Sequence, residues 1–316
     1  MANFALTGAA GFVAPRHFKA IHDTDNRLVA ALDPHDAVGG LDRYSFETRF
    51  FTEYERFDRH LAKLHRGPEE GRVHFVSICS PNYLHDAHIR TALRNGAHAI
   101  CEKPLVINPW NLDALQELEA ESGRRVYTVL QLRTHPALVA LRDRLMASGG
   151  THDVTLTYIT ARGQWYFTSW KGSDERSGGV VMNIGIHFFD LVLWLFGGVT
   201  DSAVHLLEPR RASGVLDLAR ARVRWYLSVD AADLPFQPEP GGRTTYRAIE
   251  VDGEPLEFTE GFTDLHTRVY EQVLAGEGFG IADARPSIEL AYAIRTGAVT
   301  PAGADAHALA GKGSHV

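Results

Sequence analysis

The chain has 316 residues, with 32 Lys and Arg against 39 Asp and Glu, a formal net charge of -7, 45% apolar and 22% charged residues. That balance is globular and excludes disorder, collagen and coiled coil as descriptions of the whole chain, and the length suggests two domains. The acidic excess argues against nucleic acid or acidic membrane as a partner, while leaving room for one small anion in a locally basic pocket.

Two cysteines, Cys79 and Cys101, make no disulfide framework and fit a reducing, cytoplasmic compartment. The N-terminus, MANFALTGAAG, lacks the basic start of a signal peptide. The most apolar stretch, residues 188–196, contains Asp190 and is expected to be too short for a membrane span.

Residues 4–7 read as a short strand, followed by a Gly-rich turn and a helix to about residue 21. Residues 27–32 (RLVAAL) form a second strand ending at Asp33. Thr52-Glu53-Tyr54-Glu55 has the spacing of a capping box, and Tyr54, Phe57, Leu61 and Leu64 then recur at helical spacing. Residues 73–79 (VHFVSIC) suit a buried parallel strand. A helix stops at Asn95 before Gly96, residues 97–101 are the next strand, and Asn108-Pro109 opens a helix that Gly123 ends. Residues 126–130 complete the set. This alternation predicts an α/β fold, a doubly wound Rossmann sheet over residues 1–131.

The second half, residues 132–316, has a different texture. Residues 135–146 look like a connecting helix, and 154–160 alternate with period two as a half-solvated antiparallel strand does. Residues 221–229 (ARVRWYLSV) read as strand, and Asp252-Gly253 within 249–258 signals a hairpin. Helices are expected at 266–274 and 287–296, a surface loop at 235–242, and a poorly ordered tail from 301. An α+β domain on an open, mainly antiparallel sheet follows.

Gly8-Ala9-Ala10-Gly11-Phe12-Val13-Ala14 is a degenerate dinucleotide fingerprint, with Gly11 where backbone must approach a pyrophosphate and Ala14 where helix packs on strand. The helix start then offers N–H groups to phosphate. Asp33, 22 residues after Gly11, stands where an acid binds the ribose hydroxyls and repels a 2′-phosphate, which favours NAD over NADP. Asp36 is a second, weaker candidate. Ser80-Pro81-Asn82 and Glu102-Lys103-Pro104 each follow a strand at its C-terminal end, where ligands bind in open α/β sheets. A lysine there can stabilise an alkoxide or lower the pKa of a reacting hydroxyl. His85 and His88 share a helix face, as do His187 and Asp190, but neither pair has a third ligand in view, so no metal is expected. Ser177 and Cys79 lack a nucleophile motif, and no pair of carboxylates for a hydrolytic glycosidase is evident.

The motifs GAAG-x-x-A-x-x-H, an Asp ending strand two, SPN-x-x-H and CEKPL occur in that order, followed by Gly178-Gly179 and Asn183-Ile184-Gly185-Ile186-His187. In this the chain resembles, over nearly its whole length, the Gfo/Idh/MocA family of nicotinamide-dependent sugar dehydrogenases. The resemblance implies that NAD binds the first domain through Gly8, Gly11, Phe12, Val13, Asp33, Asp36, Ser80, Asn82, His85, Glu102, Lys103 and Gln131. It implies that the second domain binds substrate and mediates assembly, often as a homotetramer. Lys103 and His187 then face the substrate beside the nicotinamide. The commoner residue at 183 is Asp. Asn183 cannot carry the charge that makes a histidine more basic, so it is expected to bind a substrate oxygen or orient its neighbours.

Longer phrases, among them FFTEYERFDRHL, DVTLTYITARGQWYFTSWKG, NIGIHFFD and EGFTDLHTRVYE, resemble a narrower group, the bacterial UDP-N-acetyl-2-amino-2-deoxyglucuronate dehydrogenases. That resemblance implies oxidation of the sugar 3-hydroxyl of UDP-N-acetyl-D-glucosaminuronic acid by NAD, in synthesis of diacetamido-mannuronic acid for lipopolysaccharide O-antigen. Such enzymes differ in whether 2-oxoglutarate recycles the NADH. A UDP-uronate carries a pyrophosphate and a carboxylate, so local cations are needed. Arg133, Arg162 and Lys171 are the candidates, with Trp165 and Trp170 beside them and Lys103, Asn183 and His187 at the reacting end. A base for this step should work near neutrality, which suits a histidine at 187, and Lys103 can share the proton or stabilise the alkoxide. The sequence leaves that division open. The alternatives are a related dehydrogenase of another sugar or polyol, an NAD-requiring glycosidase of the same fold, and a catalytically silent NAD-binding regulator. Intact Lys103 and His187 count against the last.

Overall fold

Two six-stranded sheets organise the described residues. The computed structural model describes residues 1–239, 241–256 and 264–311. These fall into two compact units, one of residues 1–134 and 264–285, the other of the described residues in 135–256 and 286–311.

In the first unit β1 (Asn3–Thr7) leads to α1 (Ala14–Asp23), β2 (Arg27–Leu32), β3 (Arg49–Phe51) and α2 (Tyr54–His65). Then come β4 (Phe75–Ile78), α3 (His85–Arg94), β5 (His98–Cys101), α4 (Trp110–Ser122) and β6 (Val126–Thr128). The order is β3-β2-β1-β4-β5-β6, with every neighbouring pair parallel. β1 is buried along its whole length, as a central strand covered on both faces must be. The chain leaves β1 toward β2 on one side and returns as β4 on the other, which makes β1/β4 the topological switch point. Thr7 pairs with Ile78, Ile78 with Cys101, and Cys101 with Thr128. The segments after these strands therefore leave the sheet along one edge, and they carry the Gly-rich turn, Ser80-Pro81-Asn82, Glu102-Lys103-Pro104 and Gln131.

The second unit holds α5 (Pro136–Ser148), β7 (His152–Thr160), the short α6 (Gln164–Thr168) and α7 (Asp174–Ser177), and a π-helical turn (Val181–Gly185) that runs into α8 (Ile186–Phe196). β8 (Val199–Leu207), β9 (Arg211–Leu218), β10 (Ala221–Ser228), β11 (Thr245–Val251) and β12 (Glu254–Leu256) follow. The order is β12-β11-β7-β10-β9-β8. Among the described strands only the β7–β10 pair is parallel, so the sheet is mainly antiparallel, as the sequence predicts. α8 lies against β10: Phe189 meets Trp225 edge to face at 5.3 Å, and a Cβ on Gly185 would lie 2.6 Å from Leu227 Cδ1. The run Asp174–Phe196 is long and apolar enough to cross a membrane by length and composition, which residues 188–196 alone did not suggest; 72% of its apolar window is buried, as in a core helix. α9 (Leu265–Leu274) and α10 (Ile281–Thr296) close the described chain.

Several expectations change. Residues 264–285, assigned by sequence order to the second domain, belong to the first unit. α10 starts six residues earlier than expected, at Ile281, and carries Pro286 inside it; the two units divide at that proline. The capping box at Thr52 does not form: Glu53 is the cap of α2, without a side-chain cap bond, and pairs instead with Arg56. Pro109 occupies the cap of α4 rather than its first turn. The tail is not wholly loose, since His307 is buried, stacks on Tyr226 and bonds Thr157 at 2.9 Å. The hairpin forms with positive φ at both Asp252 and Gly253, the geometry of a type I′ turn; residues 257 and 258 of that expected stretch lie outside the described residues.

Candidate active site

In the first unit the Gly-rich turn is shaped by its neighbours. Gly8 has φ +84°, and a Cβ there would lie 2.5 Å from the carbonyl of Cys79. A Cβ on Gly11 would lie 2.9 Å from Gly8 O, so only glycine lets the turn close. α1 starts at Ala14, with Val13 at its cap, and Phe12 is 89% exposed with Arg16 over its ring. Asp33 is buried; its carboxylate accepts the N–H groups of Ala10 and His35, each at 2.9 Å, which ties the end of β2 to the turn. Asp36 is exposed.

Ser80 and Asn82 are buried at the start of the loop after β4. Ser80 Oγ bonds His88 Nδ1 at 2.9 Å, and burial lowers the His88 pKa to about 4. His85 Nδ1 lies 2.7 Å from Pro104 O and Nε2 lies 2.9 Å from Ser80 O; burial keeps the ring neutral, so it donates its one N–H to one of these carbonyls while sitting between the two expected ligand loops. The Lys103–Pro104 peptide is cis, and Lys103 is half-buried. Gln131 Oε1 and Thr128 Oγ1 are buried with no hydrogen-bond partner among the described residues, at the same sheet edge. Unpaired buried acceptors of this kind call for a ligand or water. A glycine cradle with an unpaired carbonyl beside it fits a dinucleotide.

Glu102 Oε1 accepts from His17 Nε2 at 3.0 Å and His266 Nε2 at 2.9 Å, while Oε2 accepts the Lys103 N–H at 3.2 Å. Burial alone would raise this carboxyl, but the two histidine donors hold it well below the usual range. Burial lowers His17 more than Glu102 raises it, so His17 is neutral beside an ionised Glu102. Arg133, expected to bind substrate, is engaged inside this unit: it reaches Asp283 Oδ1 at 3.2 Å and Asp283 O at 3.1 Å and lies over Phe279.

In the second unit the helical run from the π turn through α8 is almost wholly buried, and Asn183 and His187 are half-buried positions on it, four residues apart. Asn183 Nδ2 donates to Tyr166 Oη at 2.9 Å. Burial raises the Tyr166 pKa, which keeps its hydroxyl protonated. Lys171 Nζ lies 4.2 Å from the Trp170 ring centre, and its pKa is lowered by burial and by Arg162. Arg162 Nε is buried with no hydrogen-bond partner among the described residues. Two cations held together in part-buried surroundings, one with an unpaired donor, ask for an anion. Trp165 is exposed, edge-on to Tyr166. Sequence reasoning assigned no role to His17, His266 or Tyr166, although all three stand inside the quoted motif phrases; the signal was present but its pairing was not.

Residues 2–130 match the oxidoreductase family model with an NAD-binding Rossmann fold, and residues 150–227 match that family's C-terminal alpha/beta domain. The chain belongs to the Gfo/Idh/MocA oxidoreductase family. The WlbA (WbpB) dehydrogenase of Thermus thermophilus, solved with NAD and alpha-ketoglutarate and with NAD and UDP-GlcNAcA, is 51% identical, with a TM-score of 0.92 over 97% of this chain and 99% of that one. D-glucoside 3-dehydrogenase of Escherichia coli is 27% identical over 128 residues, 39% of this chain and 35% of that protein. Inositol 2-dehydrogenase of Rhizobium meliloti is 27% identical over 216 residues, 65% of this chain and 59% of that protein. The chain thus spans between about a third and three fifths of these two curated relatives.

Proposed function

We propose that the protein oxidises the sugar 3-hydroxyl of UDP-N-acetyl-D-glucosaminuronic acid with NAD. The observation that carries this reading is the full-length likeness to the Thermus thermophilus dehydrogenase, solved with NAD and UDP-GlcNAcA. The glycine cradle, Asp33 and Gln131 suit the dinucleotide, and Arg162 with Lys171 suits the anionic groups of the sugar nucleotide. Bound NAD supplies the hydride acceptor, which no side chain can replace. The hydroxyl proton goes to His187 while the Lys103 ammonium steadies the oxygen as charge develops on it, or Lys103 takes the proton as a neutral amine. Asn183, held by Tyr166, orients a neighbour or substrate oxygen rather than relaying a proton.

The same reading places the enzyme in the cytoplasm as a homotetramer, serving lipopolysaccharide O-antigen synthesis. The alpha-ketoglutarate complex of the Thermus thermophilus enzyme supports a second half-reaction, in which 2-oxoglutarate takes hydride from NADH and a proton to become 2-hydroxyglutarate. The test is incubation with UDP-GlcNAcA and NAD, with and without 2-oxoglutarate, followed by NADH absorbance and mass spectrometry. A sugar nucleotide two hydrogens lighter supports the proposal. Released sugar would instead indicate an NAD-requiring glycosidase, and no change a silent NAD-binding regulator.

A further inference from the structure

We infer that Glu102, His17 and His266 form a positioning device for Lys103, and that Glu102 serves the Glu-Lys-Pro loop rather than the dinucleotide. The inference deepens the proposed reaction and rests on its assignment of Lys103 to the reacting hydroxyl.

Four separate elements of the first unit converge on this one carboxylate. His17 comes from α1, Ser77 from β4, Glu102 from the loop after β5, and His266 and Tyr270 from α9. All five side chains are buried. Ser77 Oγ and Tyr270 Oη are 2.5 Å apart, and Tyr270 Oη lies 2.7 Å from His17 Nδ1. A neutral imidazole has one N–H. If His17 gives that proton to Glu102 through Nε2, its Nδ1 must accept from the Tyr270 hydroxyl. The Tyr270 oxygen then accepts from Ser77. The donors run in one direction, Ser77 to Tyr270 to His17 to Glu102, and His266 adds a second N–H to the same oxygen. The other carboxylate oxygen takes the Lys103 N–H. Both ends of the carboxylate are fixed, one by two helices and one by the main chain of the residue it positions.

The energetics favour such an anchor. A buried carboxylate is tolerated only when donors satisfy it, and removing one donor leaves charge unpaired. The loop therefore cannot shift without breaking charge-assisted bonds, which are stronger than neutral ones. The three ligand atoms also lie within 4.8 Å of one another, close enough to hold a metal ion. A metal would displace the N–H protons that the directed chain uses, so the two arrangements are mutually exclusive and can be told apart.

The experiment compares His266→Leu with His266→Gln. Leucine fills space without a donor, whereas glutamine restores an N–H donor. Hydrogen exchange of the 101–107 peptide reads the anchor without any catalysis. Exchange should quicken about tenfold or more in His266→Leu and return toward wild type in His266→Gln, and kcat should follow the same pattern with a loss of about tenfold or more in the leucine variant. The Kd of NAD by calorimetry should stay within about twofold in both, since Glu102 does not hold the dinucleotide. Equal exchange and equal kcat in the two variants would mean simple packing and overturn the inference, as would one equivalent of bound transition metal in the purified enzyme. Should the leucine variant fail to fold, nitrogen-15 NMR of histidine-labelled wild type decides. His17 as a neutral Nε2–H tautomer at pH 7 supports the device, and an imidazolium or an Nδ1–H tautomer overturns it. If wild type turns out not to oxidise the sugar nucleotide while the exchange contrast holds, the reaction assignment fails and the loop anchor stands.

Discussion

The amide of Asn183 donates to the hydroxyl of Tyr166 across 2.9 Å, four residues before His187. The position is thus held by a neutral pair, where an aspartate would place a charge. In Asn183→Asp, Tyr166 can turn its proton toward the new carboxylate, because burial keeps the phenol protonated. A carboxylate one helical turn before His187 favours the imidazolium and raises the histidine pKa. The acid limb of the kcat/KM profile should then move up by about one pH unit. A limb that stays in place would show that His187 is not the titrating base.

Lys103→Ala should cut kcat by about a thousandfold or more, the scale of losing a positioned proton-transfer group. NAD affinity, measured by calorimetry, should change by no more than a few fold. The loop is held through the Lys103 main-chain N–H, which alanine keeps. Near-normal turnover would remove Lys103 from the chemistry.

Much of this was legible in one dimension because the signals are local. The RLVAAL strand, the glycine turn and Asp252-Gly253 each announce themselves within a few residues, and the structure forms them there. β3 was missed because three residues carry no period, and β8 because its first four residues are exposed and lack alternation. Pro286 reads as a helix boundary, yet α10 begins before it. The larger gap concerns distance. Arg133 reads as a candidate substrate-binding cation, and its pairing with Asp283 is invisible at that distance in sequence; His17 and His266 become partners only because residues 264–285 return to the first unit. Spacing cannot report such a return.

Asp33 has two duties, and its replacement should show both. Its carboxylate accepts the Ala10 and His35 N–H groups, so Asp33→Ala loosens the turn as well as removing a ribose partner. NAD Kd should rise by about tenfold or more, the cost of losing charged hydrogen bonds. NADP should lose less, because the carboxylate also repels a 2′-phosphate. An unchanged NAD to NADP ratio would leave Asp33 as a brace of the turn alone.

Lys171 and Arg162 should matter to substrate and not to cofactor. Lys171 sits over Trp170 with its pKa lowered by burial and by Arg162, a strained pairing that an anion relieves. Lys171→Met keeps the apolar stem and removes the charge. KM for the sugar nucleotide should rise by about tenfold, and the dependence of KM on salt should weaken. An NAD Kd that changes as much as KM would mean the pair does not bind substrate.

Acid should destabilise this fold through histidines that are buried neutral. Burial lowers His88 and His307 from 6.5 to about 4, with His85 adding to the first and Arg224 to the second. His17 and His85 are lowered in the same direction, again chiefly by burial. The unfolded chain takes up the His88 and His307 protons near 6.5, and the folded chain resists until near 4. Between those values the unfolded state binds more protons, so stability is full above about pH 6.5 and drains away as pH falls toward 4. A shift from 6.5 to about 4 corresponds to about 3 kcal/mol for each of His88 and His307 at the low end of the window. Urea midpoints measured from pH 7.5 down to 4.5 should trace this loss. His307→Gln tests the origin, because its amide can still bond Thr157 yet takes up no proton. The variant should lose less stability than wild type over the same interval, and parallel curves would show that His307 is not among the groups responsible.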